Sequence, residues 1–234
     1  MALAENIAAV RDKIAQAARE AGRDPAEITL VAATKVQTSD TIRAAIAAGI
    51  TVCGENRVQE MTAHLADNAY EGAALHFIGH LQTNKVKFVV GRVDLIESVG
   101  SEHLLLAIEK QAEKMGLVQD ILLEVNVGGE ESKSGVAPAD LPALARQAAA
   151  LHHVRLRGLM AIPPAANIPG ENQPFFDRMY QLFVDIREEM DNNKTVIDCL
   201  SMGMSGDYPD AVRAGATLVR VGTALFGPRP PLHP

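Results

Sequence analysis

ITLVAATKVQTSDTIRAAIAAGITVCGE, residues 28–55, reads as strand, helix, strand. An apolar run (28–35) gives way to a segment with apolar residues at helical spacing (39–49). Gly49 closes that segment, and a second apolar run (51–55) follows. The unit then repeats. Further apolar runs lie at LHFIG (75–79), LIESV (95–99), DILLEVN (120–126), VRLRGLMAI (154–162), VIDCLSM (196–202) and LVRVGTA (218–224). Helix-like segments separate them at 56–66, 84–91, 102–116, 138–151, 173–190 and 207–215. Gly49, Gly91, Gly116 and Gly215 stand where helices end. NKVKFVVG (84–91) is the least regular segment, because its Val-rich half suits a strand as well.

Most strands are nearly continuous apolar runs, as a sheet covered on both faces requires. Alternation of strand and helix implies a parallel sheet. Eight such units in about 200 residues is the count for a closed (β/α)8 TIM barrel of the α/β class; an open, doubly wound sheet is the alternative. An amphipathic helix over 3–21, with Leu3, Ile7, Val10 and Ile14 on one face and Gly22 as its stop, precedes the first unit. No low-complexity linker interrupts the chain, so residues 1–234 are expected to form one domain. The tail PRPPLHP reads as an extended terminus.

Composition narrows the function. The net charge of −7 comes with no basic stripe, which argues against nucleic acid as a partner. The pairs Lys85/Lys87 and Arg155/Arg157 are too small to make a patch. Cys53 and Cys199 each sit in an apolar run and read as buried, reduced thiols. The N-terminus lacks the basic start of a signal peptide, and no apolar run approaches the roughly 18 residues that span a bilayer. The expected location is therefore cytoplasmic, without membrane contact. HExxH, CxxC and G-x-S-x-G motifs are absent, so no metal site is expected.

In a barrel of this kind the chemistry sits at the C-terminal ends of the strands. The residues there are Lys35, Glu55 with Asn56, His80, Ser98, Asn126, Met160, Ser201 with Ser205, and Arg220 with Thr223. Val31, Ala33 and Lys35 share one face by alternation, so the ammonium points inward if the other two do. A desolvated lysine loses part of its preference for charge, and a neutral amine can form an imine with a carbonyl. The competing reading is a lysine that snorkels to solvent.

SMGMSGDYPDAVRAG (201–215) and VGTALFG (221–227) cluster glycines and hydroxyls before helix starts. Loops after strands seven and eight are the usual phosphate site of such barrels, with exposed amides as donors. Ser201, Met204, Ser205, Gly206, Gly222 and Thr223 are the candidates, against plain turn and cap chemistry. Arg220 lies between Val219 and Val221 and is expected to face inward. There it meets either a ligand acceptor or a carboxylate, Glu55 or Glu97. Asn56 could touch a ligand or cap the following helix; His80 suits a turn, and Met160 suits a core. A strand-end lysine with a phosphate cradle describes a phosphorylated aldehyde, of which pyridoxal 5′-phosphate (PLP) is the commonest.

These segments resemble a known family over almost the whole chain. LVAATKVQT around Lys35, GENRVQE (54–60), LHFIGHLQTNK (75–85), LLEVNVGGEESKSG (122–135), RGLMAIPP (157–164), LSMGMSGDYPDAV (200–212) and RVGTALFG (220–227) are similar to the pyridoxal phosphate homeostasis proteins. The resemblance implies a fold like the N-terminal barrel of alanine racemase, with PLP as a Schiff base on Lys35. It implies phosphate held by Ser205 and the amides of Gly222 and Thr223, with Ser201 and Met204 in the same loop. Arg220 would sit near the pyridine nitrogen and Asn56 beside the ring. Members of the family look like PLP carriers or regulators of vitamin B6 pools.

The expected function is thus PLP homeostasis without turnover, with PLP-dependent apo-enzymes as candidate recipients. The rivals are an amino-acid racemase of narrow specificity and a cofactor-free Schiff-base lyase. An arginine at the pyridine nitrogen weakens the electron sink. No tyrosine among Tyr70, Tyr180 and Tyr208 ends a strand to serve as a second base. The chain stops soon after strand eight, without a racemase-type β-domain, so a monomer is expected.

Overall fold

The computed structural model describes residues 2–130, 133–165, 168, 170–190 and 196–228. Helix α1 (Ala2–Glu20) comes first and buries Ile7, Val10, Ile14, Ala17 and Ala18. Eight strands follow: β1 (Thr29–Ala33), β2 (Val52–Glu55), β3 (Ala74–Phe77), β4 (Leu95–Val99), β5 (Gln119–Glu124), β6 (Val154–Met160), β7 (Cys199–Ser201) and β8 (Leu218–Val221). They pair in chain order, and β1 also pairs with β8, so the sheet closes into an all-parallel barrel. The closed barrel is the expected one, and the open sheet is excluded.

Helices α2 (Ser39–Ala47), α3 (Val58–Ala66), α4 (Glu102–Met115), α5 (Leu141–Ala150), α6 (Gln173–Met190), α7 (Tyr208–Arg213) and α8 (Thr223–Phe226) alternate with the strands. Between β3 and β4 the chain forms only a 3-10 helix, Thr83–Phe88. NKVKFVVG is therefore neither an α-helix nor a strand. Its apolar residues Val86, Val89 and Val90 lack a full amphipathic stripe and pack as a tight turn. Gly49, Gly91, Gly116 and Gly215 all have positive φ, as helix-ending glycines should.

Two apolar clusters result. The larger fills the space between strands and helices. The smaller lies inside the barrel and contains Val31, Ala33, Val52, Leu95, Leu122, Met160 and Leu218. Strand alternation makes the split: Val31 and Ala33 face in, while Leu30 and Ala32 face the helices. Gly54 is on the inner face, where a Cβ would come within 2.8 Å of both Val31 and Ile78.

Strand eight is shorter than the sequence suggests. Residues 223–226 of LVRVGTALF are already helical, because Gly222 breaks the ladder. Strand seven is likewise cut to Cys199–Ser201. Residues 1, 131, 132, 166, 167, 169, 191–195 and 229–234 lie outside the described set. That set of exclusions takes in parts of the two long polar loops and nearly all of the PRPPLHP tail. Among the described residues no helix is long and apolar enough to cross a membrane, and no group of His, Cys, Asp or Glu could hold a metal.

Candidate functional site

The inward alternation of β8 carries Arg220 into the barrel with Leu218, while Val219 and Val221 face the helices. Arg220 is 4% exposed. Its Nη2 donates to the carbonyl of Ala161 at 2.8 Å, and its Nη1 donates to Ser201 Oγ and lies 3.8 Å from Glu97 Oε2. Ser201 Oγ donates to Glu97 Oε2 at 2.6 Å, and His76 Nδ1 lies 2.7 Å from Glu97 Oε1. Strands β3, β4, β7 and β8 thus each give one polar side chain to a buried network. The carboxylate partner open to Arg220 in the sequence is Glu97. Glu55 faces the other way, and its Oε1 accepts from Thr34 at 2.6 Å and Tyr70 at 2.9 Å on the helix side.

Burial on its own would raise the pKa of Glu97. The His76 hydrogen bond, the charges of His76 and Arg220, and the Ser201 hydrogen bond outweigh it, and the pKa lies below the usual carboxylate value. A lowered folded pKa means stability that is present above about pH 4.5 and lost as pH falls through the folded value. Replacing Glu97→Gln leaves a buried guanidinium uncompensated, at a cost of about 3 kcal/mol. Urea unfolding at pH 7 and at pH 3 should show that gap at neutrality and a much smaller one in acid; equal gaps would refute the role of the charge.

Lys35 stands two residues past β1, at the mouth and partly buried. The turn that holds it is unusual. Val36 has φ +59°, a left-handed conformation that a β-branched residue rarely adopts. Its N–H donates to Glu60 Oε2 at 2.9 Å, and the N–H of Gln37 donates to the carbonyl of Thr34 at 3.0 Å. Such strain persists only where the surroundings impose it, and it clusters at functional sites.

Because β1 and β8 are paired neighbours, Lys35 shares one narrow cleft with Gly222 and Thr223, next to Ala33 and Phe226. Across it, the Ser205 hydroxyl accepts from the amides of Gly222 (3.1 Å) and Ala224 (3.3 Å). The 203–208 loop is held by Asp207, which accepts from the Met204 amide at 2.7 Å and from Asn172 Nδ2 at 2.7 Å. At Gly203, with φ +90°, a Cβ would fall 2.5 Å from that of Ala211. Tyr208 is buried in the same turn.

Asn56 does not cap helix α3: the N-cap is Arg57, with no side-chain bond. The Asn56 Oδ1 is buried with no partner among the described residues. Gly79 presses on its backbone, where a Cβ would lie 2.2 Å from the Asn56 carbonyl. Met160 is fully buried in the inner cluster and forms the floor of the mouth. His80 is exposed and stands apart, at a separate cavity over β3–β5. Asn126 ties its own loop by donating to the Glu130 carbonyl at 2.9 Å.

Residues 2–230 match the family model described as alanine racemase, N-terminal domain. The pyridoxal phosphate homeostasis protein of Aquifex aeolicus (strain VF5) is 41% identical over 225 residues, covering 96% of this chain and 97% of the relative. The chain belongs to the pyridoxal phosphate homeostasis protein family. A second member, from Pseudomonas aeruginosa, is also 41% identical, over 97% of this chain and 96% of its own.

Among solved structures, PipY of Synechococcus elongatus PCC7942 superposes with a TM-score of 0.85 at 35% identity without PLP. With PLP bound, it superposes with a TM-score of 0.82 at 34% identity; in both, 96% of this chain and all of that chain are covered. An alanine racemase from Clostridium difficile 630 reaches a TM-score of 0.75 at 14% identity, over 98% of this chain and 60% of that one, which shows the shared fold alone.

For this family member, sequence reading missed His76 as the partner of Glu97, and Asn172 and Asp207 as supports of the glycine-rich loop. His76 carried a usable signal: it lies between Leu75 and Phe77, both of which face the helices. Both cysteines are free; Cys199 is only partly buried, and burial, then nearby carboxylates, push each thiol up to about 12. Neither is poised as a nucleophile.

Proposed function

We propose that this chain binds PLP through Lys35 and serves the intracellular balance of PLP without turnover of its own. The observation that carries this reading is the shared cleft of Lys35, Gly222 and Thr223 at two paired strand ends, with the Ser205 hydroxyl bound by the amides of Gly222 and Ala224. The bound cofactor supplies a reactive aldehyde, and its capture on one amine keeps it from others.

The chain's own groups divide the work. The amides of Gly222 and Thr223, with the Ser205 hydroxyl and the loop through Ser201 and Met204, hold the phosphate. Asn56, whose buried Oδ1 has no partner among the described residues, would flank the ring, and Met160, buried in the inner cluster, would give it an apolar floor. Arg220 would face the pyridine nitrogen as a donor and would keep it unprotonated, which would weaken carbanion chemistry. The name of the close relatives supports a homeostatic role over a racemase, and PipY with PLP bound supports the cofactor. Cytoplasmic location, a monomeric state and delivery to PLP-dependent apo-enzymes belong to the same proposal.

The test is an absorption spectrum before and after borohydride, with peptide mapping. A band near about 420 nm that vanishes on reduction, with the phosphopyridoxyl mass on Lys35, is expected. A colourless protein that PLP does not modify would remove the reading. Ser205→Ala should weaken PLP binding by about 1.5–3 kcal/mol, the worth of a hydrogen bond to a charged group, and leave the chromophore intact. Unchanged affinity in a fluorescence titration would place the phosphate on backbone amides alone.

A further inference from the structure

A second cavity, of about 720 Å³, opens over the ends of β3, β4 and β5, across the barrel from Lys35. Its walls include His80, Gln82, Asn84, Ser98, Glu124 and Ser134. No lysine or arginine lines it among the described residues. Two of its groups are buried yet incomplete. Glu124 is 5% exposed; its Oε1 accepts from Ser134 Oγ at 2.9 Å, but its Oε2 has no hydrogen-bond partner among the described residues. Ser98 is 3% exposed, and its Oγ also has none among them. An unsatisfied buried carboxylate oxygen and hydroxyl are costly, and native structures keep few of them.

The rim is built rigidly. Gly100 and Gly135 touch so closely that a Cβ on Gly100 would lie 2.8 Å from Gly135, and Val125 bridges to Val136 in parallel fashion. The orphaned atoms are therefore held in place and do not reflect a loose loop.

We infer that this cavity is a binding site for small primary amines, free amino acids among them, with the ammonium group seated on Glu124 Oε2 and Ser98 Oγ. A protonated amine brings three donors, and the two orphaned atoms are two acceptors at one wall. The positive charge matches the one carboxylate of the lining, and the neutral amides of Gln82 and Asn84 leave room for a polar remainder. Burial, the largest influence, pushes the Glu124 carboxyl above its ordinary value, against the Ser134 hydrogen bond and the charges of Arg220 and His80. An incoming cation supplies what that site lacks.

The inference stands independently of the cofactor reading. It is tested on the full chain stripped of any carbonyl compound, so that imine exchange contributes nothing. Methylammonium, glycine and acetate are titrated separately while backbone amide signals are followed by NMR. Methylammonium and glycine are expected to shift the signals of residues 80, 98–101, 124 and 134–135; acetate is not. Glu124→Gln should weaken binding about tenfold or more. Ser98→Ala should weaken it about threefold and leave the fold as stable as before, since it removes a hydroxyl that is unsatisfied within the protein. No saturable shift with either ammonium compound, an equal response to acetate, or full affinity in Ser98→Ala and Glu124→Gln would overturn the assignment. Failure here with a 420 nm band intact would leave PLP binding untouched.

Discussion

Lys35→Ala is expected to abolish the covalent chromophore and leave the barrel folded. Lys35 stands beyond the last residue of β1 and belongs to neither apolar cluster. Its loss takes away the one amine that, among the described residues, shares the cleft with the Gly222–Thr223 loop. On the role proposed for Lys35, the effect on binding should be all-or-none for the reducible adduct. The effect on stability should stay within about 0.5 kcal/mol, as for substitutions outside the core. The variant loaded with PLP, reduced with borohydride and weighed by mass spectrometry should show no stoichiometric adduct. A full equivalent on another residue would transfer the covalent role elsewhere.

The second large effect belongs to packing. Gly158 lies within β6 at φ +152°, and a Cβ there would stand 1.8 Å from the carbonyl oxygen of Cys199 on the neighbouring strand. Backbone cannot move aside as a flexible side chain can, so Gly158→Ala must either push β6 from β7 or break their pairing. The register joins Gly158 to Cys199 and Met160 to Ser201, so the displacement runs straight to the site floor and to the Arg220 network. We expect a loss of about 4 kcal/mol or more, at the far end of what single substitutions do. For a chain of this size that is a fall of roughly 10 °C in the melting midpoint. A thermal melt within two or three degrees of the parent would show that the strands can part at little cost.

Much of this architecture was legible in the sequence because two periods governed it. Apolar runs of strand length separated by helical spacing counted out the barrel, and period-two alternation put Arg220 on the inner face. Three failures have separate physical origins. Strand eight was drawn too long because Gly222, Thr223 and Ala224 follow an apolar run without a change of polarity, while the backbone turns helical at once. Glu55 was grouped with the mouth because it ends a strand, although Val52 and Gly54 occupy the inner face and leave Glu55 to the outer one. The meeting of His76 with Glu97 depends on the register of β3 against β4, which pairs His76 with Leu95 and Phe77 with Ile96. No local pattern encodes that offset; it is set by the closure of the whole barrel.

Closure has one more outcome. A ladder that runs from β1 round to β8 and back to β1 has neither a first nor a last strand. Open sheets present a row of unpaired N–H and C=O groups along each border, and a foreign segment can extend them. Here that row is taken up within the ring. Growth by strand addition, the common route to fibrous self-association, has no border to start from while the barrel is intact. A macromolecule that visits this protein therefore meets helix faces and loops, and its recognition has to be read from side chains.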